Sequence, residues 1–200
     1  MLQNVKVNGP CTVYISFKAP IPNLFTITDT ISGRLYFWRH LDGKTPRIKF
    51  NIPDPGEYYF NVPVNIVKIS GIEIPDNLPE LPPAERNRYR GQPEIIIDES
   101  LNDMARNFTQ DNVIVLGKKW IDLPSWPIQL FIQLHEKWHA FYLTEEYCDM
   151  AAMVDFLRMG YNRSTAFYAL DHFLTDNNAN RYRVKQLFNN IQKTQKEPLL

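Results

Sequence analysis

The chain of 200 residues contains few cysteines, no long apolar run and no excess of charge of either sign. Cys11 and Cys148 are too few for the disulfide framework of a small secreted protein, so a reducing compartment fits better. No run approaches the ~20 apolar residues of a membrane-spanning helix. Residues 1–10 lack the charged and apolar regions of a signal peptide. We therefore expect a cytoplasmic protein without a membrane partner.

The charge balance excludes one further class of partner. Lysine plus arginine and aspartate plus glutamate each number 22, so the formal net charge is zero. Proteins that bind nucleic acid usually carry a basic face or a net positive charge. The basic run at residues 85–90 is short, which is typical of a solvated segment. The sequence therefore predicts no nucleic-acid partner.

Residues 1–74 have the pattern of an all-β domain. Seven short apolar or alternating runs are separated by turn signals such as Gly9-Pro10 and Asp42-Gly43. Strands at this spacing predict a small sandwich or barrel. The region has no histidine cluster and no glycine-rich phosphate loop. We therefore expect it to dock, either in a homo-oligomer or against an assembly partner.

The rest of the chain is predicted to be a linker and a second domain. Residues 75–92 are rich in proline, which favours an extended, semi-rigid spacer. Residues 93–200 are predicted to contain a strand over 94–98, a helix over 99–107 and a strand over 112–116. Further helices follow, the last two over 165–174 and 179–191. The predicted fold class is therefore α+β, with a small all-β domain before a mostly helical one.

The helix predicted to begin at Pro127 is mainly apolar. At 100° per residue, its polar side chains gather into one stripe and the rest of its circumference is apolar, so most of it should be covered by protein. His135 and His139 fall on the apolar side, although histidine is polar. The stripe consists of Gln129, Gln133 and Lys137.

These two histidines belong to an H-E-x-x-H match, His135 to His139. Two imidazoles at i and i+4 can bind one zinc ion at about 2.0–2.1 Å. Glu136 can then reach a water on that metal and act as general base, as in a metalloprotease. The spacing predicts one Zn²⁺ per chain. The alternative is an accidental match, in which both imidazoles are core histidines and several buried polar groups need other partners.

A third protein ligand is expected from the acids that follow. Thr144 is a good N-cap for a second helix, which should end at Gly160. If the two helices are nearly antiparallel, Asp149 lies level with His139 and is the favoured third ligand. Glu145 shares a helix face with Asp149 and is the second candidate, either as a ligand or as a residue that orients a histidine.

The segment HEKWH, preceded by an apolar helical run and by the strand-like VIVL, resembles the zincin metallopeptidases over residues 94–160. The later segment from Glu145 to Asp149 resembles the E-x-x-x-D segment of gluzincin-like families. There is no H-x-x-G-x-x-H extension, which excludes the metzincins. The resemblance implies zinc-dependent hydrolysis of a peptide or protein. It also implies that the substrate binds along the strand at residues 112–116, if that strand is the edge of the sheet.

A structural role is the alternative to an enzyme. A β-rich domain, a stiff spacer and a compact second domain also suit a subunit of a larger assembly, such as a phage virion component. The zincin-like domain would then be inactive or vestigial, and residues 1–74 would supply the contacts. The protein would be incorporated in a virion. An open cleft in a monomer would favour the enzyme, whereas a ring or array that covers the cleft would favour the assembly.

Overall fold

The computed structural model describes residues 3–17, 21–44, 46–86, 91–123, 125–173 and 189. Within these residues, an all-β N-terminal region precedes a C-terminal region that ends in helices, which confirms the predicted α+β class. The helix predicted over 179–191 lies outside the described residues, apart from residue 189, and so does the end of the one over 165–174. In the described part of the chain, no helix has the length and apolar character needed to cross a membrane.

The first seven strands form two sheets with antiparallel neighbours, in the orders β1-β6-β3-β4 and β5-β2-β7. All seven predicted runs are strands, and the two open sheets make a sandwich rather than a barrel. The strands are β1 (Gln3–Val7), β2 (Cys11–Phe17), β3 (Leu24–Asp29), β4 (Leu35–His40), β5 (Arg47–Ile52), β6 (Gly56–Phe60) and β7 (Val64–Gly71).

The interior of the sandwich is aromatic. Side chains alternate along β5, so Phe50 is buried while Arg47 and Lys49 are exposed. Phe25 and Phe60 pack edge to face with ring centroids 5.5 Å apart. Such pairs stabilise a core beyond the area that they bury.

Three more strands form a third sheet, in the order β8-β10-β9. β10 pairs parallel with β8 and antiparallel with β9. The expectation that residues 112–116 form the sheet edge is wrong, because β10 is the central strand and is paired on both sides. β9 is an edge strand, and it lies next to the histidine-bearing helix. The strands are β8 (Glu94–Asp98), β9 (Ala105–Phe108) and β10 (Val113–Gly117).

The helix predicted over residues 99–107 is also wrong. Leu101, Met104 and Phe108 have a spacing that imitates one face of a helix. In the structure β9 pairs with β10 over its whole length, so its backbone groups are satisfied by the neighbouring strand. The pairing between strands therefore overrides the local pattern.

Four helices complete the described chain. Pro127 lies in the first turn of α2, and the Thr144 side chain caps α3 by accepting from the Tyr147 N–H. α3 ends before Gly160, whose φ is +87° and where a Cβ would lie 2.2 Å from Ile72 Cδ1. The positive φ favours glycine there, and any larger residue would also make the Ile72 side chain shift. The helices are α1 (Lys118–Ile121), α2 (Trp126–Trp138), α3 (Glu145–Arg158) and α4 (Arg163–Phe173).

The sandwich and the helices share one cluster of buried apolar residues. Polar contacts join them as well. The side chain of Asn162 makes two hydrogen bonds of 2.8 Å with the backbone of Asn51. Its Oδ1 accepts from the Asn51 N–H, and its Nδ2 donates to the Asn51 carbonyl. The Tyr161 hydroxyl donates to the Asp54 carboxylate at 3.0 Å. The division of the chain into domains at residues 75–92 stays a prediction, and these contacts hold the two sides of that segment together.

Candidate metal centre

The two motif histidines lie one turn apart at the C-terminal end of α2, on the side that faces α3. Their Nε2 atoms are 3.1 Å apart. The side chain of His135 is 3% exposed and that of His139 is 21% exposed, so the pair lies at the boundary between core and surface. With Glu136 they form a group that can hold a metal ion, with ligand atoms within 4.8 Å of one another.

The carboxylate of Glu145, the first residue of α3, faces both histidines. Its Oε2 lies 3.2 Å from Nε2 of His135, and its Oε1 lies 3.4 Å from Nε2 of His139. The side chain is 52% exposed, so this side of the centre is open to solvent. Two helices thus bring two nitrogens and a carboxylate together at one point.

The separations between these donors match a tetrahedral metal site. A zinc ion with bonds of about 2.0–2.1 Å holds its ligand atoms about 3.3–3.4 Å apart. The separation of 3.1 Å between the two Nε2 atoms is close to that value, and the Glu145 carboxylate spans the pair, with Oε2 3.2 Å from His135 and Oε1 3.4 Å from His139. His135, His139 and Glu145 therefore fit such an ion and would leave one tetrahedral position for another ligand.

Asp149 occupies a different place from Glu145. Its Oδ1 lies 2.8 Å from Nδ1 of His135, the ring nitrogen that points away from His139. The Asp149 side chain is 1% exposed. Burial lowers the pKa of His135, but Asp149 and Glu145 outweigh burial and raise that pKa to about 10. Asp149 therefore lies on the far side of the His135 ring, as an ion-pair partner of Nδ1, while Nε2 faces the centre.

Cys148 contacts the second histidine from behind, a role that the sequence analysis missed. Its Sγ lies 3.4 Å from Nδ1 of His139. Cys148 is fully buried, and burial raises the pKa of its thiol to about 12, so the sulfur is uncharged at neutral pH. Burial, and then the neighbouring His135, lowers the pKa of His139. The sequence signal for this contact is that Cys148 follows Glu145 by three residues, which places the two side chains on neighbouring positions of one face of α3.

Glu136 lies beside the histidines and is 9% exposed. Burial raises the pKa of its carboxyl group, His135 opposes that rise, and Glu145 adds to it. The backbone carbonyl of Glu136 accepts a hydrogen bond from the side-chain amide of Asn107, on the edge strand β9. The sequence analysis did not predict that contact, because it placed Asn107 in a helix.

The centre thus brings together two imidazole nitrogens, an exposed carboxylate and a buried carboxyl group, and its residues could hold a metal ion. Comparison with protein-family models, curated proteins and solved structures finds no match to this chain. The resemblance to the zincins therefore rests on the H-E-x-x-H motif, whose His135, Glu136 and His139 lie together on one helix.

Proposed function

We propose that this protein is a zinc-dependent peptidase whose metal is held by His135, His139 and Glu145. The observation that carries the proposal is the convergence of two Nε2 atoms and one carboxylate at separations of 3.1 to 3.4 Å. Nitrogen and carboxylate donors in this number are typical of catalytic zinc sites, which keep one position open.

We assign the third ligand to Glu145 rather than to Asp149. Glu145 faces the Nε2 atoms of both histidines, whereas Asp149 contacts Nδ1 of His135. A ligating histidine usually donates its other ring N–H to a carboxylate, which fixes its tautomer. Asp149 is placed for that role, and it would also increase the basicity of His135 as a ligand.

Glu136 is the proposed general base. When bound, zinc supplies a Lewis acid that polarises a carbonyl and lowers the pKa of a water. A Glu136 carboxylate oxygen takes the proton of the attacking water and returns it to the amine of the leaving group. An extended substrate would pair with β9, the edge strand beside α2, rather than with residues 112–116.

Zinc content and peptide cleavage, measured on the same preparations, test the proposal. We expect one zinc ion per chain in the wild type and in Glu136→Gln, and none in His139→Ala. Cleavage of a mixed peptide library should fall by about 10²–10⁴-fold in Glu136→Gln, because a general base contributes that much. Lys137→Gln, a change inside the same motif, is the matched control and should keep both zinc and activity. A wild type without zinc, after growth in zinc-supplemented medium, would refute the proposal.

A further inference from the structure

Residues 81–86, at the end of the proline-rich segment, lie against the turn that joins α2 to α3. We call this segment the strap. The backbone N–H groups of Glu85 and Arg86 donate to the carbonyl of Phe141 at 3.0 and 3.2 Å. The Glu85 carboxylate accepts from the N–H of Leu143 at 2.7 Å. The segment predicted to be a spacer is therefore hydrogen-bonded to the end of the metal-binding helix.

Arg86 makes the most direct contact with the centre. Its guanidinium Nη2 donates to the backbone carbonyl of His139 and, at 3.0 Å, to that of Tyr142. Carbonyls at and just beyond the C-terminus of a helix lack donors within the helix, and a cation there is favoured by the helix dipole. One guanidinium thus joins the two ends of the turn.

The other end of the strap is held through Tyr142. The Tyr142 hydroxyl donates to the carbonyl of Pro82 at 2.7 Å. Leu81 packs against the small buried cluster that contains Tyr142 and Cys148. Because Cys148 also contacts His139, the strap and the metal centre share one set of packed side chains.

The turn joins two residues of the centre. His139 lies just before it and Glu145 begins the helix just after it, and their donor atoms are 3.4 Å apart. Glu145 is 52% exposed, so packing around its own side chain constrains it only partly. Its position therefore depends on the backbone between the two helices, which Arg86 holds.

We propose that Arg86 is a positioning residue for the metal centre, and that the strap sets the distance between His139 and Glu145. This inference rests on the proposed function, because it takes Glu145 as a metal ligand. Arg86 itself contacts carbonyl oxygens, and it acts on the metal only through the backbone of the turn.

Zinc affinity, measured by competition with a chromophoric chelator, tests the inference. We expect Arg86→Met to raise the Kd for zinc by about 10-fold, the lower end of the range for residues that orient ligands. Both bonds come from the single nitrogen Nη2, so Arg86→Lys, which keeps the charge and a nitrogen with several N–H groups, should recover part of the affinity that Arg86→Met loses. Tyr142→Phe loosens the strap without removing Arg86 and serves if the Arg86 variants do not fold. Arg158→Met, on an exposed arginine of α3, is the matched control and should bind zinc as the wild type does.

A double-mutant cycle with Glu145→Gln separates positioning from general stability. If Arg86 acts through Glu145, then Arg86→Met should change the zinc Kd by no more than roughly twofold in the Glu145→Gln background, the scatter expected of an absent coupling. An equal effect in both backgrounds would overturn the inference, and so would an unchanged Kd in all three strap variants. Both outcomes require a wild type that binds zinc, so they differ from failure of the proposed function.

Discussion

Replacing the two acids of α3 one at a time distinguishes a metal ligand from a residue that orients a ligand. Glu145→Gln and Asp149→Asn keep the size of each side chain and remove its charge. Glu145 faces two Nε2 atoms and is half exposed, whereas Asp149 is buried against Nδ1 of His135. Glu145→Gln should therefore lower the zinc affinity more than Asp149→Asn does. Asp149→Asn should lower the stability more.

The sizes of these effects follow from the contacts. In our assignment Glu145 is one of three ligands, so its loss should raise the zinc Kd by more than about 100-fold, the upper limit for orienting partners. Asp149→Asn should raise the zinc Kd by about 10–100-fold. Without zinc, Asp149→Asn should lower the free energy of unfolding by about 1–3 kcal/mol, because a buried imidazole loses its charged partner. Glu145→Gln should change it by less than about 1 kcal/mol, because the Glu145 side chain is half exposed and solvent screens its ion pairs.

The assay is zinc competition together with urea denaturation of the metal-free protein. Glu146→Gln is the matched control, because Glu146 is the exposed neighbour of Glu145 in the first turn of α3. It should match the wild type in both measurements. A larger loss of zinc affinity in Asp149→Asn than in Glu145→Gln would refute our assignment and restore Asp149 as the third ligand.

Two further predictions concern the joint between the sandwich and the helices. Gly160→Ala should lower the free energy of unfolding in urea by about 1–3 kcal/mol, because the positive φ strains a residue that has a Cβ and the Ile72 side chain must also shift. Gly43→Ala, at a similar φ of +73° in open space, is the control that shows strain alone. Burial, and then the Asp54 carboxylate, raises the pKa of Tyr161 in the folded protein. Because the unfolded tyrosine ionises near pH ~10 while the folded one stays neutral, the free energy of unfolding should fall above that pH, and less so in Tyr161→Phe.

The motif itself was predictable because its geometry is local. Residues at i and i+4 share a helix face whatever the rest of the chain does, so His135 and His139 were certain to be neighbours on any helix. The strand runs of the sandwich were predictable for the same reason, since alternation and turn residues are both local signals. β9 was not, because its pattern fits a helix and only its partner β10 makes it a strand.

The positions of Glu145 and Asp149 depend on the conformation of the turn between α2 and α3. That conformation cannot be read from the sequence. Counting equal distances on either side of a turn put Asp149 level with His139. In the structure Glu145 faces His139, and Asp149, one turn further along α3, contacts His135, one turn further back along α2. The turn is held in this conformation by Arg86, more than fifty residues before it in sequence. No local pattern reports that contact.

A comparison within α2 shows why the histidines indicate a ligand site and not only a polar core. Gln129 is as buried as His135, yet each end of its amide has its own partner: Oε1 accepts from Arg34 at 2.9 Å and Nε2 donates to the Trp120 carbonyl at 2.9 Å. These contacts point in different directions and satisfy a structural residue. The Nε2 atoms of His135 and His139 instead point at one another, and a carboxylate on a second helix points at both. Two imidazole nitrogens and a carboxylate that converge in this way are the kind of donor set that can hold a metal ion.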